Sequence, residues 1–200
     1  MFQLFEDAPD DDDDVLGGPS HDAITSFCVH PKNTHIAVCT GKNLLQLWAI
    51  GEITRHGADA TSGPSSSAAK HNMSCLKSIR GHTMPVLSMA YDPTGSLVAT
   101  GSADNSVRVW DMERGYCTHS FRDLHSDVVQ RVLFHPIPNN LTLFSSSDDT
   151  TIRIYDLVDQ KNTAVFRDHM SLPSALAISN DGCLLVSGGR DKVSKQTNKT

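Results

Sequence analysis

An all-β fold built from repeated antiparallel sheets is predicted by three features of the sequence. Aspartates recur at a steady period, 45 residues from Asp104 to Asp149 and 42 from Asp149 to Asp191. The pair Gly81-His82 opens the clearest unit and Trp110-Asp111 closes it. Between these marks apolar residues alternate with period two and are broken by Pro, Gly, Asn and Asp, which is the pattern of half-buried strands and not of helices.

In that unit Val86 to Tyr91 is a strand, Asp92-Pro93-Thr94-Gly95 a turn, Leu97 to Gly101 a second strand, Ala103-Asp104-Asn105 a turn and Val107 to Trp110 a third strand. The next unit repeats this as Val128 to Phe134, the turn at His135-Pro136, Leu141 to Ser145 and Thr151 to Asp156. A more diverged unit precedes them, with Ala23 to Pro31, Ile36 to Val38 and Leu44 to Trp48. A last one reaches Ser187 and Asp191, after which the expected apolar strand ending in Trp-Asp is missing. A period in the low forties with GH at one end and WD at the other predicts four-stranded propeller blades. The fold is thus a partial WD-repeat β-propeller of about three to four blades, the last truncated, whereas closed rings hold about four to eight.

The chain divides into an acidic disordered tail over 1–20, a diverged WD blade over 21–50, a flexible insertion over 51–75, WD blades over 76–115 and 116–160, a partial blade over 161–192 and a non-propeller tail over 193–200. The insertion, rich in Gly, Ser and Ala, is expected between the first and second units, because Trp48 and Trp110 lie 62 residues apart.

Charge is concentrated at one end. Of the net charge of −6, Glu6, Asp7 and Asp10 to Asp14 contribute −7 and the remainder carries +1, so no basic face is predicted. Met1 to Glu6 has no positive segment followed by a long apolar one, so neither a signal peptide nor a membrane span is expected. The five cysteines form no CxxC pair and the ten histidines lack ligand spacing, which predicts reduced thiols, no metal and no cofactor.

His82, Thr100 and Asp104 match a catalytic triad in residue type. They recur, however, from unit to unit, twice beside an aromatic: His82, Thr100, Asp104 and Trp110, then His125, Ser145, Asp149 and Tyr155, then His169, Ser187 and Asp191. A catalytic site is expected once and with its nucleophile exposed. These sets are therefore expected to be structural tetrads, in which a loop histidine binds the turn aspartate and a hydroxyl bridges to the indole N–H. Tyr155 removes the indole donor from the third unit, and Lys42 stands where the first unit would hold its aspartate.

Several segments are more specific than the repeat alone: Pro85 to Gly95, Tyr116-Cys117-Thr118-His119, Phe134-His135-Pro136, Leu143-Phe144-Ser145-Ser146-Ser147 and Ser187 to Lys192. With Ile24 to Phe27 they resemble the amino-terminal propeller of the transducin-beta-like WD-repeat subunits of the small-subunit processome. The resemblance implies a noncatalytic scaffold in pre-rRNA processing and ribosomal small-subunit biogenesis, located in the nucleus and nucleolus. It implies other WD-repeat processome proteins as partners, small nucleolar ribonucleoprotein and pre-rRNA reached through the complex, no membrane and no small-molecule substrate. The alternative is a general WD-repeat adaptor for a ubiquitin ligase or signalling complex. Partner contacts are expected on loops at the blade tops, with Arg80, Thr83, Met84, Arg108, Arg122, Asp127 and Arg153 as candidates. Arg108 and Arg153 match in register, which predicts a shared structural role for that pair.

Overall fold

The computed structural model describes residues 23–50, 74–190 and 194–198, the last as backbone strand only. The expected acidic tail, most of the expected insertion and Asp191 lie outside the described residues. The described chain is strand and turn throughout, in four antiparallel sheets.

The first sheet comprises β1 (Ile24–Val29), β2 (His35–Thr40), β3 (Leu44–Ala49) and β4 (Ser74–Arg80), in that spatial order. The second holds β5 (Val86–Tyr91), β6 (Leu97–Ser102), β7 (Val107–Asp111) and β8 (Tyr116–Phe121). The third holds β9 (Val129–Phe134), β10 (Thr142–Ser147), β11 (Ile152–Asp156) and β12 (Lys161–Phe166). The fourth has β13 (Pro173–Ile178), β14 (Leu184–Gly189) and β15 (Ser194–Asn198). The first strands touch in succession, β1 on β5, β5 on β9 and β9 on β13, so the sheets stand side by side around an inner edge, as propeller blades do.

Two expectations are corrected here. The segment from 51 does not separate two blades: β4, beyond it, pairs with β3 through Leu47↔Lys77 and Leu44↔Arg80, so the break falls inside the first sheet. The outer strands β4, β8 and β12 fall at the start of the sequence units 76–115, 116–160 and 161–192, ahead of the Gly-His or equivalent loop, yet pair into the preceding sheet, so units and sheets are offset by one strand. Residues 194–198, expected outside the propeller, form β15 and pair with β14 through Val186↔Gln196. Backbone pairing requires no apolar side chains, and the polar composition of this strand hid it.

Three apolar clusters fill the junctions between consecutive sheets. Ala37, Cys39, Leu45 and Leu47 of the first sheet pack on Val86, Met89, Val98 and Trp110 of the second. Ala99, Val107 and Val109 pack on Val129, Val132, Leu143 and Tyr155 of the third. Phe144, Ile152 and Ile154 pack on Leu185 of the fourth. Each inner sheet is thus apolar on both faces, which strict alternation alone would not reveal.

Polar stitches run along the same junctions. At the turns between second and third strands, Asn43 and Asn105 adopt φ 62° and 63°. Their side-chain amides donate to Thr83 O at 3.2 Å and Ser126 O at 3.3 Å in the next sheet. On the outer strands Lys77 donates to Glu113 O, and His119 Nε2 lies 2.8 Å from Leu157 O. At the opposite end of the sheets the rings of His30 and His135 lie over Gly95 and Gly182 of the next sheet, where φ is 84° and 73° and a Cβ would meet the ring.

Candidate functional site: the recurring histidine–hydroxyl–aspartate chains

In the second sheet His82 comes from the loop after β4, Thr100 from β6, Asp104 from the β6–β7 turn and Trp110 from β7. Carboxylates only accept, so His82 Nδ1 carries the proton it gives to Asp104 Oδ2 at 2.9 Å. Its Nε2 is 2.7 Å from Thr100 Oγ1, which also accepts the indole N–H of Trp110 at 2.9 Å. Gly81 is glycine because Trp110 lies against it: a Cβ there would run into the indole ring. Asp104 also receives the backbone N–H groups of Thr83 at 3.2 Å and Ser106 at 3.1 Å, which closes the turn.

The third sheet builds the same chain with His125 Nδ1 2.8 Å from Asp149 Oδ2 and His125 Nε2 2.6 Å from Ser145 Oγ. Tyr155 does not leave the chain open. Its hydroxyl lies 3.0 Å from Ser145 Oγ, so a phenol ends this chain where an indole ends the other. Burial pushes the Tyr155 hydroxyl up to about 12. In the fourth sheet His169 Nε2 is 2.7 Å from Ser187 Oγ. The first sheet departs from the pattern: Val38 occupies the hydroxyl position, and the Trp48 indole donates instead to Gln46 Oε1 at 3.1 Å.

Burial raises the carboxyls of Asp104 and Asp149, but hydrogen bonds outweigh it. Donation from His82 and Ser106 holds Asp104 well below the usual carboxylate range, and donation from Thr151 and His125 lowers Asp149 to about 2. His125 is lowered from its ordinary value, first by burial and against the pull of Asp149. Ser106 and Thr151 were not singled out in the sequence. Each sits two residues after its aspartate, a spacing that predicts such a turn.

The Ser145–His125–Asp149 geometry is that of a nucleophile, base and orienting acid, yet Thr100 and Ser145 are fully buried. A hydroxyl sealed between sheets meets no substrate. What this arrangement does is satisfy buried polar groups and fix each turn to the loop that precedes its sheet.

Of the candidate contact residues, Arg80, Thr83, Met84, Arg122 and Asp127 are exposed around the loops between sheets. Arg108 and Arg153 are elsewhere, in mid-strand, paired with Thr100 and Ser145. Arg108 is 9% exposed, donates to Gly81 O and lies 3.9 Å from Asp104, so it faces the tetrad and not a partner. Arg153 is half-buried.

The WD domain, G-beta repeat family matches residues 73–111, 115–156 and 160–195. The chain is 49% identical to Transducin beta-like protein 3 of Bos taurus over 172 residues, 85% of this chain and 19% of that protein. Against Transducin beta-like protein 3 of Homo sapiens it is 41% identical with the same coverage of both chains. A Periodic tryptophan protein 2 homolog of Dictyostelium discoideum is 33% identical over 113 residues, 56% of this chain and 12% of that protein. The chain therefore spans about a fifth of the length, or less, of these relatives.

Proposed function

Because the chain belongs to the WD domain, G-beta repeat family, we propose that it is a noncatalytic propeller scaffold of the small-subunit processome, acting in pre-rRNA processing in the nucleolus. The observation that carries this reading is the recurrence of buried histidine–hydroxyl pairs in the second, third and fourth sheets, which favours loops and rims for partners. Similarity to Transducin beta-like protein 3 over most of the chain supports the choice of complex. The partners are other WD-repeat subunits, met through Arg80, Thr83, Met84, Arg122 and Asp127. Small nucleolar ribonucleoprotein and pre-rRNA are reached through the assembly. Affinity purification of the tagged chain from cells, with sequencing of bound RNA and mass spectrometry of bound protein, tests it. Pre-ribosomal RNA with processome subunits is the expected result; ubiquitin-ligase or signalling subunits without them would replace this reading with a general adaptor.

A further inference from the structure

Between the first and second sheets, at the end away from the tetrads, lies a cavity of about 440 Å³. That size falls within the span of pockets that hold small ligands, about 300–1,000 Å³. Leu47 of β3, Tyr91 of β5 and Met112 of the β7–β8 turn supply apolar lining, with His30 and His35 bordering it from the first sheet and Ser96 and Glu113 from the second. The border is fixed from both sides. The His30 ring meets Tyr91 and His35 edge to face, with ring centres 5.2 Å and 5.8 Å apart, and Lys77 reaches from β4 to the carbonyl of Glu113.

Register explains why the space is open at this junction. His35 and Leu97 hold equivalent places in β2 and β6, and Ser96 and Leu141 equivalent places just before β6 and β10. At the second junction both leucines pack into the apolar cluster with Val109, Phe134 and Leu157, the counterparts of Leu47, Tyr91 and Met112. The fold thus fills this position with its own leucine side chains at one junction. At the other it sets an imidazole and a hydroxyl around an apolar hollow.

We propose that the cavity receives a leucine-like side chain from an extended peptide segment of a partner protein. The neighbouring junction shows what fits such a position, since leucines occupy it there. The ligand is longer than the cavity, because Leu76 of β4 lines it, is 49% exposed and carries the apolar surface outward. β4 is also the edge strand of its sheet, and extended peptides pair with such edges while sending alternate side chains into pockets. The charges at the border cancel, Lys77 against Glu113, which suits an uncharged amide backbone. His35 Nδ1 lies 2.8 Å from Thr34 Oγ1, and its Nε2 is engaged by none of the described residues, so it remains for a peptide group. The proposal holds whichever complex the chain joins, and the purification that decides between complexes does not decide it.

Selection of random peptides displayed on phage against the purified 200-residue chain tests it, with a chain carrying His35→Leu and Ser96→Leu as the comparison. The two leucines reproduce the filling found at the second junction, so this variant keeps its fold by near-ultraviolet circular dichroism. Selected peptides are expected to share one apolar position and to bind the filled variant about tenfold or more weakly. A second measurement does not depend on the variant. N-acetyl-leucine methylamide titrated into the isotope-labelled parent chain is expected to shift the backbone amide resonances of Ser96 and Glu113 and to leave those of Leu141 and Val158, at the second junction, in place. Peptides with no shared apolar position, or peptides that bind both chains equally, overturn the proposal. So does a leucine probe that moves both junctions or neither. Binding that appears only once residues 51–73 are exchanged for a Gly-Ser linker assigns the space to that part of the chain and overturns it as well.

Discussion

The side-chain amide of Asn105 donates to the carbonyl of Ser126 across the boundary between the second and third sheets, at 3.3 Å. Asn43 does the same to Thr83 one sheet earlier. Both asparagines occupy a left-handed turn position that few residues tolerate, and their acceptors directly follow His82 and His125. A single residue type thus adopts the left-handed conformation of its own turn and ties that turn to the next tetrad loop.

The third sheet lacks this device. Thr150 sits at φ 66° in the equivalent turn, a strained conformation for a β-branched residue. Thr150→Asn removes strain and sends an amide toward the backbone of Met170, which follows His169 as Ser126 follows His125. Stability is expected to rise by about 1 kcal/mol, read as a higher midpoint in urea denaturation with unchanged slope.

His82→Ala removes one donor from Asp104 and one partner from the Thr100 hydroxyl at once, leaving Asp104 to the Thr83 and Ser106 donors and Thr100 to Trp110, and a loss of about 2–3 kcal/mol follows. Trp110→Phe removes only the indole donor from the same chain. Measured together in a double-mutant cycle, the two losses are expected to be non-additive, because both changes break one network.

Gly81→Ala places a methyl group in the Trp110 ring. Overpacking of this kind costs about 1–3 kcal/mol. Trp110→Leu in the same background frees the space, so the glycine substitution is expected to cost less there than in the parent, a difference that thermal denaturation resolves.

Acidification should weaken the fold in two stages. His125 is lowered from 6.5, so the unfolded chain takes up a proton that the folded one refuses, and its contribution declines as pH falls below that value. Asp104 and Asp149 are lowered from 3.8, so their contribution is complete above that value and declines further as pH falls below it. Stability measured between pH 8 and pH 3 tests this, and His125→Gln should reduce the upper stage, to which His30, also lowered by burial, contributes.

The strands of the three clearest units were legible because alternation and turn chemistry are local properties of sequence. Ser74–Arg80 was not assigned to the first sheet because its partner, β3, lies on the far side of a segment with no periodic pattern, and nothing local records the pairing. The chains of the second and third sheets are legible from residue types at repeated spacing, including Tyr155. That a phenol closes the chain follows only from its distance to Ser145. Arg108 is a strand residue and not the loop residue expected, and strict alternation between Val107 and Val109 puts it on the Thr100 side. The acceptors of Asn43, Asn105, Lys77 and His119 lie in the neighbouring sheet, which sequence spacing does not encode.

The one-strand offset between repeats and sheets makes the molecule behave like overlapping roof tiles. Deleting a single repeat, by exon skipping or by engineering, would not lift out one sheet cleanly but would strip the outer strand from its predecessor and orphan its own. Gene rearrangements that respect sheet boundaries, cutting in the loops just before β5, β9 or β13, are the ones this architecture can absorb.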